Sequence, residues 1–350
     1  MVRSILARVA TGGDIQLSFQ REPDAFGANF GALSQDFVVA HQHVPGAAPV
    51  AVGVCERVVR EAFVNGKRRR LPYLAALRVL PGFRNQVRAL RGGFEALRSL
   101  CGDERDLPWS LTSIMSDNAT ARRVLGANLR GMPLYEPVGE LSTFALTAQG
   151  NAEPDRATDI DLPRIADLLL RQGARSQFAT VWTHDSLRAA VSAGWLRAKD
   201  FLVLRRDGAI RACVALWDQS ASRQLVVSGY SPWLRRARPL INCAALVSGL
   251  PRLPVAGGAL RAAYLSHLAV DEAAPEDLLA LIAVARAEAR RRGLSLLFLG
   301  LATDHPFAAW ARKLRRQREF RSQLYRVRWP ESPAPELDPS LRLSPELALL

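Results

Sequence analysis

Short runs dense in Val, Ile and Phe punctuate the first half of the chain at residues 15–19, 36–41, 50–59 and 71–79, a pattern that predicts strands. Lys67-Arg-Arg-Arg70 reads as the boundary of the last one. Past Pro81-Gly82 the period changes: Val87, Leu90, Phe94 and Leu97 recur at helical spacing and predict an amphipathic helix over 86–100. A strand at 109–114, a helix over 119–127 capped by Asp117-Asn118, and closing strands within 134–146 complete this half. After the polar stretch 149–155, helices are expected at 162–171 and 186–193 and strands at 201–204, 210–217 and 223–227. The first pattern then returns. A strand at 262–270, a helix over 277–292 with Leu278, Leu281, Ile282, Ala285 and Ala289 on one face, a strand at 294–301, and a helix opened by Asp304-His305-Pro306 repeat the earlier order. The reading is two copies of one α+β unit with mixed sheets, at 1–149 and 156–329. Residues 330–350 are rich in Pro, Glu and Ser without a period, and are expected on the surface or disordered.

Composition narrows the classes. The chain has 350 residues, 49% hydrophobic and 23% charged, enough for two globular domains. No apolar run approaches the roughly 18 residues that cross a bilayer, so no membrane partner is expected. The N-terminus lacks the apolar core and small-residue site of a secretory signal, so a cytoplasmic location is expected. Cys55, Cys101, Cys213 and Cys243 are widely spaced, three of them in apolar surroundings, and read as reduced core thiols. His41 and His43 have no third ligand near them, so no metal is expected. The net charge of +14 is nearly all Arg, with only 3 Lys, and is concentrated in 56–98 and 286–328. Such regions suit nucleic acid or another polyanion, and equally the solvated faces of helices.

The run Tyr73-Leu-x-x-Leu-x-Val-x-Pro-x-Phe-Arg84, followed by a helix, resembles the fourth strand and cofactor loop of the GNAT superfamily of acyl-CoA-dependent N-acyltransferases. Asn118-x-x-Ala121, after a strand and opening a helix, is similar to that superfamily's next segment. The resemblance implies two GNAT-like domains in tandem and acetyl-CoA or another acyl-CoA as cofactor. By it, backbone groups at Leu77 and Val79 would meet the pantetheine arm, and Arg84, Asn85, Gln86, Val87, Arg88 and Ala89 would cradle the pyrophosphate, with Asn118 nearby. Helix N-termini attract phosphate because their first amides lack partners and carry the positive end of the dipole. Val87 replaces the first Gly of the family's loop, and Leu125 stands where its frequent Tyr acid is expected. The second copy's loop, Asp271-Glu-Ala-Ala-Pro-Glu-Asp277, is acidic and would repel a pyrophosphate, so that copy reads as degenerate and without cofactor.

Amine acylation needs a base and an acid. Glu56 is the candidate base in the first half, with a salt-bridged surface Glu as the alternative. Tyr135 is the candidate acid, with a buried strand-edge tyrosine as the alternative. His267, in the second copy's fourth strand where the first copy has Ala76, is either a base or a core histidine. The amine acceptor, small molecule or peptide, is left open. A non-catalytic binding or regulatory protein on the same fold is the other reading.

Overall fold

The computed structural model describes residues 1–43, 46, 48–83, 87–248 and 251–350. The first unit contains α1 (Val2–Arg8), β1 (Ile15–Gln20), β2 (Ser34–Gln42), β3 (Val50–Val64), β4 (Lys67–Val79), α2 (Val87–Ser99), β5 (Trp109–Met115), α3 (Ala119–Leu125) and β6 (Leu134–Thr147). The second contains α4 (Leu162–Gly173), β7 (Ser176–Gln177), α5 (His184–Ser192), β8 (Phe201–Arg206), β9 (Ala209–Trp217), β10 (Gln224–Tyr230) and α6 (Pro232–Ser248). It continues with β11 (Ala262–Ala269), α7 (Pro275–Arg291), β12 (Leu296–Ala302), α8 (Pro306–Arg312), β13 (Gln317–Arg328) and the short β14 (Arg342–Leu343).

One ten-stranded mixed sheet, ordered β2-β3-β4-β5-β13-β6-β12-β11-β9-β8, runs through both units. The order shows an exchange. The first unit's last strand, β6, pairs with β12 of the second, and the second unit's last strand, β13, pairs with β5 of the first. β6 and β13 lie antiparallel to each other at the centre. Outside this sheet, β1 and β10 form a separate ribbon that also ties one unit to the other.

The repeat is clearest in β4 and β11, which align as Tyr73-Leu-Ala-Ala-Leu-Arg-Val79 and Tyr264-Leu-Ser-His-Leu-Ala-Val270. Each has a break in register against its antiparallel neighbour, between Val54 and Glu56 on β3 and between Ser266 and Ala269 on β11. At each break one non-glycine residue is left-handed, Ala76 at φ +53° and His267 at φ +51°. That conformation crowds Cβ against the following carbonyl, and two equivalent positions share it. β11 pairs with parallel β12 only from Ala262↔Leu296 to Leu265↔Leu299, and β4 pairs with parallel β5 only at Tyr73↔Leu111. Beyond the bulges the parallel strands part, leaving a fork in each unit.

Helices α2 and α3 cover one face of the first unit through Phe94, Leu97 and Leu125. In the second unit α7 and α8 bury Leu278, Leu281, Ile282 and Phe307 on one face, while α4 and α5 pack Ile165, Leu169 and Leu187 around Trp217 on the other.

Three expectations are corrected. Lys67–Arg70 does not bound a strand but belongs to it, because Asn65 and Gly66, both at positive φ, turn β3 directly into β4. Residues 330–350 are ordered: Leu337 and Leu343 pack over Leu71, Trp109 and Leu111, and Ala348 and Leu349 enter the second unit's core. Spaced leucines in irregular backbone create no period, yet each finds a pocket, while Asn65 Oδ1 and the Gln177 carbonyl accept from the Asp338 and Ser344 amides. Of the four free thiols only Cys213 is buried; Cys101 and Cys243 are exposed.

Candidate functional site

Beside the first fork an apolar cleft of about 70 Å³ opens between the sheet and α2. Its floor includes Val38, Gly53 and Val54, its wall Leu90, Gly93 and Phe94, and its rim Leu77, Arg78 and Val79. Two of the residues expected at the pantetheine arm, Leu77 and Val79, and the small Ala89 of the expected loop therefore border one cavity. Two glycines keep it open: a Cβ at Gly93 would meet nothing within 4 Å, whereas one at Gly53 would stand 3.3 Å from the Arg78 carbonyl. Arg84, Asn85 and Gln86 lie outside the described residues, and the side chains of Val87 and Arg88 do as well; α2 itself begins at Val87. At the fork, Tyr73 Oη and Ser113 Oγ share a 2.7 Å hydrogen bond, and Thr112 Oγ1 donates to the Leu74 carbonyl at 2.7 Å. Burial pushes the Tyr73 hydroxyl up to about 12. Sequence reading missed this pair; the signal was Tyr73 recurring as Tyr264 in the aligned strands.

Asn118 occupies the cap of α3, where its Oδ1 accepts from the Ala121 amide at 3.1 Å. The Asn-x-x-Ala spacing thus has a local cause: the side chain satisfies one of the helix's orphan donors.

The three catalytic candidates sit apart. Glu56 is fully buried, with both oxygens held by Arg21 and one also accepting from Gln35 Nε2 at 2.6 Å. Tyr135 packs between Phe94 and Tyr325, and burial raises its hydroxyl far above the ordinary tyrosine range. His267 is enclosed by Trp182, Phe201 and Trp217, with its ring 4.1 Å from that of Trp182. Burial lowers it to about 3, so its imidazole is neutral at neutral pH; Nδ1 lies 2.9 Å from Ser266 Oγ, and Nε2 has no hydrogen-bond partner among the described residues.

The second fork is filled by the chain itself. The Glu346 carboxylate accepts from the backbone amide of His267 at 2.8 Å, Leu347 covers Gly300 of β12, and Ala348 and Leu349 are buried behind them. A Cβ at Gly300 would stand 2.6 Å from that of Leu347, so this glycine lets the segment lie flat on the strand. Burial raises Glu346 to about 7. The acidic loop before α7 is also engaged within the chain, Asp277 with Arg211 at 2.7 Å and Glu272 with His305 and Arg342. Among the described residues no group of three or more acidic, His or Cys side chains could hold a metal, and no helix is long and apolar enough to cross a membrane.

No protein-family model and no curated protein matches the chain in sequence. Solved structures match it in fold. N-myristoyltransferase of Saccharomyces cerevisiae, solved with bound myristoyl-CoA, aligns with a TM-score of 0.56 at 11% identity over 98% of this chain and 85% of its own. A GCN5-related N-acetyltransferase from Sphaerobacter thermophilus gives a TM-score of 0.50 at 13% identity over 83% of this chain and 80% of its own. The fold is that of the GNAT superfamily, in a tandem arrangement spanning nearly the whole chain.

Proposed function

We propose that this tandem GNAT-fold chain is an acyl-CoA-dependent N-acyltransferase with one donor site, in the first unit. One observation carries the reading: of two equivalent forks, the second is occupied by Glu346 to Leu349, while the first adjoins an apolar cleft. The site residues are proposed as Leu77, Val79 and Ala89 at the cleft and Arg84 to Arg88 toward the phosphates. Of the structures similar in fold, the N-myristoyltransferase was solved with bound myristoyl-CoA and the other is named an N-acetyltransferase, which supports the donor class. A bound acyl-CoA would supply an activated thioester; the chain supplies an apolar wall for the acyl group and excludes water from it. Tyr73 and Ser113 are the hydroxyls at the fork, and the carboxylate of Glu56 is engaged by Arg21 and Gln35.

The donor expected from sequence is acetyl-CoA or another acyl-CoA. A chain longer than acetyl is proposed, supported by the apolar lining of Leu77, Leu90 and Phe94 and by the open space at Gly93, where a Cβ would meet nothing within 4 Å. Calorimetric titration with coenzyme A, acetyl-CoA and longer acyl-CoAs tests both points. A stoichiometry near one is expected, with affinity rising with chain length until the cleft is full. Gly93→Phe should weaken long-chain binding by at least tenfold and leave coenzyme A itself unchanged, whereas Arg84→Glu should weaken every member by setting an anion against the phosphates. A stoichiometry near two, or no binding of any acyl-CoA, refutes the reading. Binding without turnover across an amine library would favour the non-catalytic alternative.

A further inference from the structure

Where the two units meet, three arginines surround one acid. Arg21 follows β1, Arg60 lies on β3, Arg223 precedes β10, and Glu56 is already committed to Arg21 as a two-oxygen partner. Arg60 donates to the carbonyls of Asn29 and Phe30, the latter at 2.9 Å. Arg223 makes only long bonds, 3.2 Å to the Ala348 carbonyl and 3.4 Å to that of Ala28, and lies 5.0 Å over the Phe30 ring. Among the described residues neither Arg60 nor Arg223 has a carboxylate partner, the cluster's acid being taken by Arg21. Carbonyl dipoles orient a guanidinium without cancelling its charge, so the cluster keeps an excess of two positive charges in half-buried surroundings. Burial and mutual repulsion show the cost, lowering Arg60 to about 9 and Arg223 to about 10.

A cleft opens over Arg223, lined also by Gln219, Leu225, Tyr264 and Phe298. Among the described residues two buried polar atoms of its lining side chains, Arg223 Nε and Gln219 Oε1, have no hydrogen-bond partner. Pinning residues 28–30 and 348 to the sheet would explain the two terminal nitrogens of Arg223, but not its idle Nε or its uncancelled charge. The cleft is within electrostatic reach of Tyr73 at the first fork.

We infer that the cleft over Arg223 binds an anionic group, a carboxylate or a phosphate carried by the acyl acceptor, through the Arg223 guanidinium. A guanidinium edge matches two oxygens of either group. Only the word acceptor rests on the transferase reading.

The test is calorimetric titration of the full chain with glutarate and with inorganic phosphate, at constant ionic strength with chloride as the reference anion. Wild type should bind at least one; glutarate alone would place a carboxylate on the acceptor, phosphate alone a phosphate. Arg223→Gln should weaken that binding at least tenfold, Arg223→Lys less, and Arg235→Gln on the exposed face of α6 not at all. Acyl-CoA affinity should be unchanged in Arg223→Gln; if acyl-CoA fails to bind wild type while the anions bind, the transferase reading falls and the anion site stands. Should Arg223→Gln not fold, Gln219→Glu supplies an internal counter-ion to Arg223 and must abolish anion binding. Wild type that binds neither anion better than chloride, or either folded variant that retains wild-type affinity, overturns the proposal.

Discussion

Glu346 gives a sharp test of how the second fork is filled, because its carboxyl is both largely buried and titratable near neutral pH. In the unfolded chain it ionises near 4.5, and in the seated segment burial raises it to about 7. The folded form therefore favours the protonated acid. The sign follows: the contribution to stability is complete below about pH 4.5 and is lost as pH rises through about 7. A shift of that size corresponds to about 3 kcal/mol across the range, or roughly three-hundredfold in an equilibrium constant. Glu346→Gln keeps an acceptor for the His267 amide, 2.8 Å away, and removes the titration.

The process that reports this is opening of the C-terminal segment, not global unfolding, since only the segment must leave for Glu346 to reach water. Native-state hydrogen exchange of the Leu349 amide, bonded to the Glu346 carbonyl at 2.9 Å, reads it directly. Between pH 4 and 8, wild-type protection should fall about two-hundredfold relative to Glu346→Gln after correction for intrinsic exchange. His267 titrates in the opposite sense, its lowered value costing stability as pH falls below about 6.5 toward 3, but it is common to both proteins and cancels in the ratio. A ratio constant with pH would refute the claim that a protonated carboxyl plugs the fork.

Glu56→Gln should cost about 3–5 kcal/mol in urea denaturation, because it leaves Arg21 facing Arg60 and Arg223 without an acid. Asn118→Ala should cost about 1 kcal/mol by removing the α3 cap, read as a lowered thermal midpoint. Gly92→Ala, mid-helix with nothing within 4 Å of the new Cβ, should stabilise by about 0.5–1 kcal/mol in the same assay. Residues 1–149 expressed alone should show no cooperative unfolding, since β5 would lose β13; recovery on co-expression with 150–350 is the check, and cooperative unfolding of 1–149 alone would contradict it.

The repeat and most of its elements were legible because period and strand length are local properties: the helix expected over 86–100 is α2 (Val87–Ser99), and that over 162–171 is α4 (Leu162–Gly173). α6 was not legible, because Pro239 lies inside it and reads as a breaker. Nor was the exchange of β6 and β13, since either hairpin partner satisfies the same alternation of apolar residues and the choice is made by packing across the whole sheet. The tail failed for a related reason. Ala348 and Leu349 are placed by a fork that other residues build, and nothing within seven residues of them records it.

The same limit explains the candidate site. Sequence reading ranked Glu56 by residue type, but the structure assigns it by partner: Arg21 and Gln35 converge on it from 35 and 21 positions away. His267 shares its backbone conformation with Ala76, so the bulge alone accounts for the position, and the two forks differ in what enters them rather than in how they are built. In the first, glycine at 53 and 93 keeps space beside β4. In the second, glycine at 300 admits Leu347, and a carboxyl held near neutrality by burial takes the amide of the left-handed residue. Duplication supplies two equivalent openings in one sheet, and closing one with the chain's own end leaves the other to define the direction from which a ligand can approach.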